Sequence, residues 1–199
     1  MPDLDFWYSI GSTYSFLTIM RLDDWCSEHD ASVTWRPFNV RTVMSQQKNI
    51  PFAGKPVKSA YMWRDIERRA AKYHMHAQLP APYPISDLAL ANQVALLGME
   101  EGWGKNFTQI LYRIWFEEGV EAGSETALSE ALHRSQQDPR LILSRARSPD
   151  IVAALEAETL RAIKLGIFGA PSLVVGNEVF WGDDRLDDAL SWARVGHVI

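Results

Sequence analysis

The chain has 199 residues, 47% of them hydrophobic, and a formal net charge of −5. That length buries a core of its own, as one domain or as one domain with a large insert, and the acidic balance leaves no basic footprint for nucleic acid or an anionic membrane. No apolar run approaches the roughly 18 residues that a spanning helix needs, and the single cysteine, Cys26, has no partner for an intramolecular disulfide.

Residues 4–10 alternate, with Leu4, Phe6, Tyr8 and Ile10 on one face and Asp5, Trp7 and Ser9 on the other, which predicts a strand. The acids in MPDLD stand where a signal peptide carries Lys or Arg, so a cytoplasmic protein is expected. Ser12 follows as an N-cap for a helix over 14–28, in which Leu17, Met20 and Trp25 keep helical spacing. Residues 32–38 read as a second strand stopped near Pro37. Strand, helix and strand make a β–α–β unit.

From about Val40 to Gly166 the pattern turns helical. Residues 48–56 form a loop broken by Pro51, Gly54 and Pro56, and 61–73 a charged helix whose run at 64–69 reads as a solvated face. Pro80, Pro82 and Pro84 stiffen the next connection. Ser86 is expected to cap a helix with Leu88, Ala91, Val94 and Ala95 on one face, and a further helix over 107–118 ends at Gly119. Asp138-Pro139 and Ser148-Pro149 are cap-plus-first-turn pairs that start two more. Strand signals return at 172–175 and 178–181 about a Gly176-Asn177 turn, and a last helix over 185–193 starts near Asp183-Asp184.

Three stretches carry chemistry. GSTYSF at 11–16 sets Ser12 and Ser15 at the spacing that redox proteins give two cysteines. NIPFAGKPVK at 49–58 is followed by Tyr61 and WRDIER, and GIFGAPSLVVGNEVFWGDDRL fills 166–186. In this order they resemble the 2-hydroxychromene-2-carboxylate isomerases and the related kappa-class glutathione transferases over nearly the whole chain. The resemblance implies an α/β, thioredoxin-like fold with a large inserted all-helical domain: residues 1–40 and 165–199 form the discontinuous thioredoxin-like part, and 41–164 the insert. It implies glutathione as cofactor, with Ser12 as the catalytic contact to its sulfur. Asn49, Lys58, the backbone of Ala170 beside a cis Pro171, Asp183 and Asp184 would hold the rest of the tripeptide. Homodimers are usual in the family. Thr13 departs from the family's proline, and Asp183 from its usual Ser or Gln.

With serines at both motif positions the chain offers no sulfur there, so exchange of its own disulfide is excluded and a thiol must come from outside. Lowering the pKa of a free thiol from about 8.5 by two pH units requires about 2.7 kcal/mol. A charge-assisted hydrogen bond contributes roughly 1.5–3 kcal/mol and a helix end about 0.3–1. Ser12 is therefore expected to steady a thiolate, with Ser15 structural.

The activity expected from the resemblance is a glutathione-dependent cis-trans isomerisation of an aromatic 2-oxo acid. The alternatives are conjugation of glutathione to an electrophile, or a non-catalytic thioredoxin-like binding module. Tyr61 and Trp63 are candidates for an aromatic cleft wall, with core packing the favoured alternative for either one, and the group that stabilises a developing enolate is not identified. His74 and His76 lack the acids or cysteines that would complete a metal site, so no metal is expected.

Overall fold

The structure, a computed structural model, describes residues 3–50, 52 and 54–199. Pro51, one of the expected loop breakers, lies outside them, as do the first two residues of the acidic head. Strands β1 (Asp3–Tyr8), β2 (Ser32–Pro37), β3 (Ser172–Val175) and β4 (Glu178–Trp181) make one mixed sheet in the order β2-β1-β3-β4. β1 and β2 are parallel, with Phe6 opposite Trp35, whereas β3 runs antiparallel to β1 and β4.

A parallel pair needs a crossover, here α1 (Ser15–Ile19) and α2 (Leu22–His29). The single helix expected over 14–28 is thus broken at Met20 and Arg21. At the break the Arg21 guanidinium lies 4.3 Å over the Tyr73 ring and donates to the Asp183 carbonyl. Between β2 and β3 come α3 (Val40–Gln46), α4 (Pro56–Lys72), α5 (Leu88–Glu101), α6 (Gly104–Phe116), α7 (Glu125–Arg134), α8 (Pro139–Ala146) and α9 (Pro149–Lys164). A 3-10 turn (Asp183–Arg185) and α10 (Leu186–Val195) follow β4. Among the described residues no helix is long and apolar enough to cross a membrane.

The local signals mostly hold. Asp138 and Ser148 accept hydrogen bonds from the Leu141 and Ile151 amides, with proline in the first turn of α8 and α9. The cap of α5 is Asp87, which accepts from Leu90 N. Ser86 instead donates its hydroxyl and amide to the carboxylate of Glu121. Pro56 starts α4 rather than breaking a loop, because a first-turn proline lacks only an N–H that the helix would not use.

β1 is buried on both faces over its second half, Phe6–Tyr8. Phe6 and Tyr8 stack at 5.4 Å, and the Tyr8 hydroxyl meets Thr108 of α6 at 3.0 Å. On the opposite face Trp7 is equally buried, 5.6 and 5.7 Å from the guanidiniums of Arg36 and Arg161. Alternation predicts one wet face, but an interior strand with helices on both sides has none.

The charged face of α4 is not wholly solvated either. Arg69 reaches the buried Asp183 through Nε at 3.0 Å and Nη2 at 2.9 Å, both to one oxygen, tying α4 to the turn before α10. Burial pushes the Asp183 carboxyl above the usual carboxylate range, and Arg69 pulls it back. Removing one partner of a buried pair leaves an uncompensated charge. Arg69→Gln should therefore lower unfolding free energy in urea by on the order of 2–3 kcal/mol at neutral pH, below the full buried-pair cost because Arg69 is partly exposed. With burial alone acting, the folded pKa of Asp183 rises further. Stability from a raised folded pKa is present below the unfolded value of about 4 and is lost as pH rises through the folded one, so the deficit should shrink in acid.

Candidate functional site

The loop from β1 into α1 is held from three sides. The buried Asn92 of α5 accepts from Ile10 N at 2.8 Å and donates to Ile10 O at 2.9 Å and Leu88 O at 2.8 Å. The Tyr112 hydroxyl of α6 shares its proton between Ser9 O at 3.0 Å and Ser12 O at 3.1 Å. Ser9 Oγ accepts from Val40 N of α3 at 3.4 Å. Gly11 turns the chain at φ +116°, where an added Cβ would lie 2.5 Å from Leu88 Cδ1, so only glycine suits both the dihedral and the space.

This loop presents Ser12 to a cavity of about 890 Å³, toward the upper end of the range for small-molecule sites. Residues far apart in sequence meet there: Ser12, Asn49, Lys58 and Ala170, four of the candidates, line it together with Arg41. Lys58 does so from the first turn of α4, not from a loop. Its aromatic walls are Tyr14, Phe52, Tyr83, Phe168 and Trp181. Tyr61 and Trp63 are not among the lining residues: Tyr61 is exposed on α4, and Trp63 packs on Tyr83 and Phe116 at 6.1 and 6.4 Å. Trp63 thus takes the core packing that was the alternative to a wall position, and the walls come from five separate segments.

The Ser12 hydroxyl donates to Ala170 O at 2.7 Å and accepts from Ser15 N at 3.4 Å. Ala170 precedes Pro171 through a cis peptide bond, as expected, but Pro171 itself is buried behind the cavity. Ser15 is fully buried, in keeping with a structural role. Thr13 spends its hydroxyl on Met62 Sδ at 3.1 Å, and the Tyr14 hydroxyl donates to Asp65 at 2.9 Å, both fastening the loop to α4. Burial, followed by that acceptor, raises the Tyr14 pKa, so the phenol stays protonated.

Asp183 and Asp184 do not line the cavity. Asp183 turns inward to Arg69, and Asp184 is exposed beside Arg185 at 3.4 Å. Cys26 lies on α2, half-buried and outside the lining, its thiol pushed up by burial. Among the described residues no three His, Cys, Asp or Glu side chains cluster to hold a metal. Because α1 spans only five residues, its end offers less field than a long helix would.

Asn92 and Tyr112 were missed by the sequence reading. A lone Asn inside an apolar helix stretch is the signal that marks the first; nothing local distinguishes the second. Asn92→Leu should leave both polar groups of Ile10 buried without a partner, lowering stability by about 2–4 kcal/mol, measurable by urea denaturation.

The family model for a DSBA-like thioredoxin domain matches residues 3–191. A 2-hydroxychromene-2-carboxylate isomerase of Sphingobium xenophagum is 28% identical over 187 residues, covering 92% of this chain and 94% of that protein. Among solved structures, a 2-hydroxychromene-2-carboxylate isomerase superposes with a TM-score of 0.81 at 21% identity, over 92% of this chain and 90% of that one. The cytosolic disulfide reductase DsbM from Pseudomonas aeruginosa, solved with GSH, gives 0.66 at 14% identity, over 96% and 95%.

Proposed function

The chain belongs to the DSBA-like thioredoxin domain family, and from that premise we propose that it is a glutathione-dependent isomerase of aromatic 2-oxo acids resembling 2-hydroxychromene-2-carboxylate. The observation that supports this reading is the convergence of Ser12, Asn49, Lys58 and Ala170 on one aromatic-walled cavity that has no cysteine among its lining residues. Likeness to an isomerase over nearly the whole chain supports the reaction class, and a structural relative solved with GSH supports the cofactor.

The residues present fit the tripeptide. The cavity is lined by two cations and by no Asp or Glu among the described residues, which suits a ligand whose two carboxylates and ionised sulfur outweigh its one ammonium. Lys58 would hold a carboxylate as a point charge, and Asn49 would serve the peptide amides. The Ala170 backbone would pair with the cysteinyl segment as a short added strand. Bound glutathione would supply a nucleophilic sulfur whose reversible addition to a conjugated C=C leaves a rotatable single bond, and whose departure restores the double bond in the other geometry. Ser12 acts at Oγ, turning its proton from Ala170 O toward the sulfur. The aromatic walls flank the substrate ring and keep water from it.

Mixing the protein with 2-hydroxychromene-2-carboxylate should equilibrate the isomers only when glutathione is present, with the thiol recovered in full. A stable conjugate with a halogenated aromatic and no isomerisation would assign a transferase instead. Glutathione binding without turnover of either compound would assign a binding module.

Ser12→Ala should raise the pH at which bound glutathione ionises by about one unit, followed by thiolate absorbance, and lower turnover by about tenfold. An unaltered pH–rate profile would remove Ser12 from this role. Lys58→Ala should weaken glutathione binding by about tenfold or more with little effect on turnover at saturation. Calorimetry and steady-state kinetics check the two halves of that outcome.

A further inference from the structure

Arg41 is placed against the ordinary preferences of its helix. It sits in the first turn of α3, just after the Asn39 cap and Val40. A cation there opposes the partial positive charge of the helix start, and an acid is the favourable choice. No ion pair compensates: among the described residues Arg41 has no acidic partner within salt-bridge distance. Among the described residues its one polar contact is a long one, Nη2 to Ile85 O at 3.5 Å, which leaves most of the guanidinium's five donors unused there.

The side chain is exposed, and the surface it belongs to is the cavity wall. It lies near enough to Tyr83, an aromatic wall residue, to counter part of the burial that raises that phenol's pKa. A locally unfavourable residue with no structural compensation, facing a cavity, is what a recognition site produces.

We propose that Arg41 binds the carboxylate of the second substrate, which makes it the residue that selects an aromatic acid over its neutral counterpart. This rests on the assignment of Lys58 to glutathione made above, which leaves Arg41 as the one other cation lining the cavity among the described residues. A planar guanidinium receives a carboxylate, or the carboxylate and adjoining 2-oxo oxygen, through two parallel N–H donors. Phe52 and Tyr83, their rings 6.3 Å apart and steeply inclined, form the neighbouring aromatic wall. A neutral halogenated aromatic would leave the cation unpaired and would be the poorer ligand.

The test compares 4-phenyl-2-oxobut-3-enoate, a conjugated aromatic 2-oxo acid, with its uncharged methyl ester. Both are titrated by calorimetry into wild-type protein, Arg41→Gln and Arg41→Lys, with and without saturating S-methylglutathione, which occupies the cofactor position without reacting. Wild type should prefer the acid, Arg41→Gln should lose about ten- to a hundredfold of that preference, and Arg41→Lys should keep part of it. Thermal melts confirm that each variant is folded; exposure of Arg41 and its one weak contact make both substitutions tolerable.

Equal affinity of wild type for acid and ester, or a preference that survives in Arg41→Gln, overturns the proposal. Failure of S-methylglutathione to bind would count instead against the glutathione reading. The acid-to-ester ratio on cofactor-free protein then still decides the role of Arg41.

Discussion

The site depends on the burial of polar backbone at residues 9–12 and on the side chains that satisfy it. A loop entering the core from a central strand carries amides and carbonyls that water cannot reach, and each one left unpaired costs on the order of 1–3 kcal/mol. Asn92 answers both groups of Ile10, and Tyr112 answers the carbonyls of Ser9 and Ser12. Both come from the helices between β2 and β3. Those helices therefore do more than wall the cavity: without them the loop that presents Ser12 would have no fixed course.

Electrostatics around the cavity follow a related logic. The chain is acidic overall, yet the nearby acids are already engaged. Asp183 is neutralised by Arg69, and Asp65 accepts the Tyr14 hydroxyl. What faces the cavity is then Arg41 and Lys58. A local positive field inside a negatively charged molecule favours small anions over polyanionic surfaces, because the surrounding acids repel anything larger.

The strands and most of the helices were legible in the sequence because they are written in local rules: alternation for β1, a Gly-Asn turn between β3 and β4, and proline after a cap at Pro139 and Pro149; α3 and α7 were not singled out. What was not legible came from packing. The second buried face of β1 depends on which strands flank it. The break between α1 and α2 goes with the contact of Arg21 with Tyr73 and the Asp183 carbonyl, more than forty residues away in either case. Motif spacing brought Ser12, Asn49, Lys58 and Ala170 to one cavity but did not give its walls, since Tyr14, Phe52, Tyr83, Phe168 and Trp181 share no period. Gly169 is the one local trace of that wall. A Cβ there would meet Trp181 Nε1 at 2.5 Å, so the indole can close over the loop before Pro171 only where a side chain is missing.

The single proton on Ser12 sets a limit on what serine can do in a thioredoxin-like frame. Here it is given to Ala170 O at 2.7 Å. Turning it to a thiolate exchanges a neutral hydrogen bond, about 0.5–1.5 kcal/mol, for a charge-assisted one of about 1.5–3. The gain is the difference, on the order of 1–1.5 kcal/mol, or about one pH unit of thiol acidity. With α1 only five residues long, its field adds little. Under the proposed reading the remainder would come from the cations facing the cavity and from the Thr13 and Tyr14 amides, which have no acceptor among the described residues. On that reading, stabilising a bound thiolate would be a property of the whole pocket, with Ser12 supplying direction more than energy.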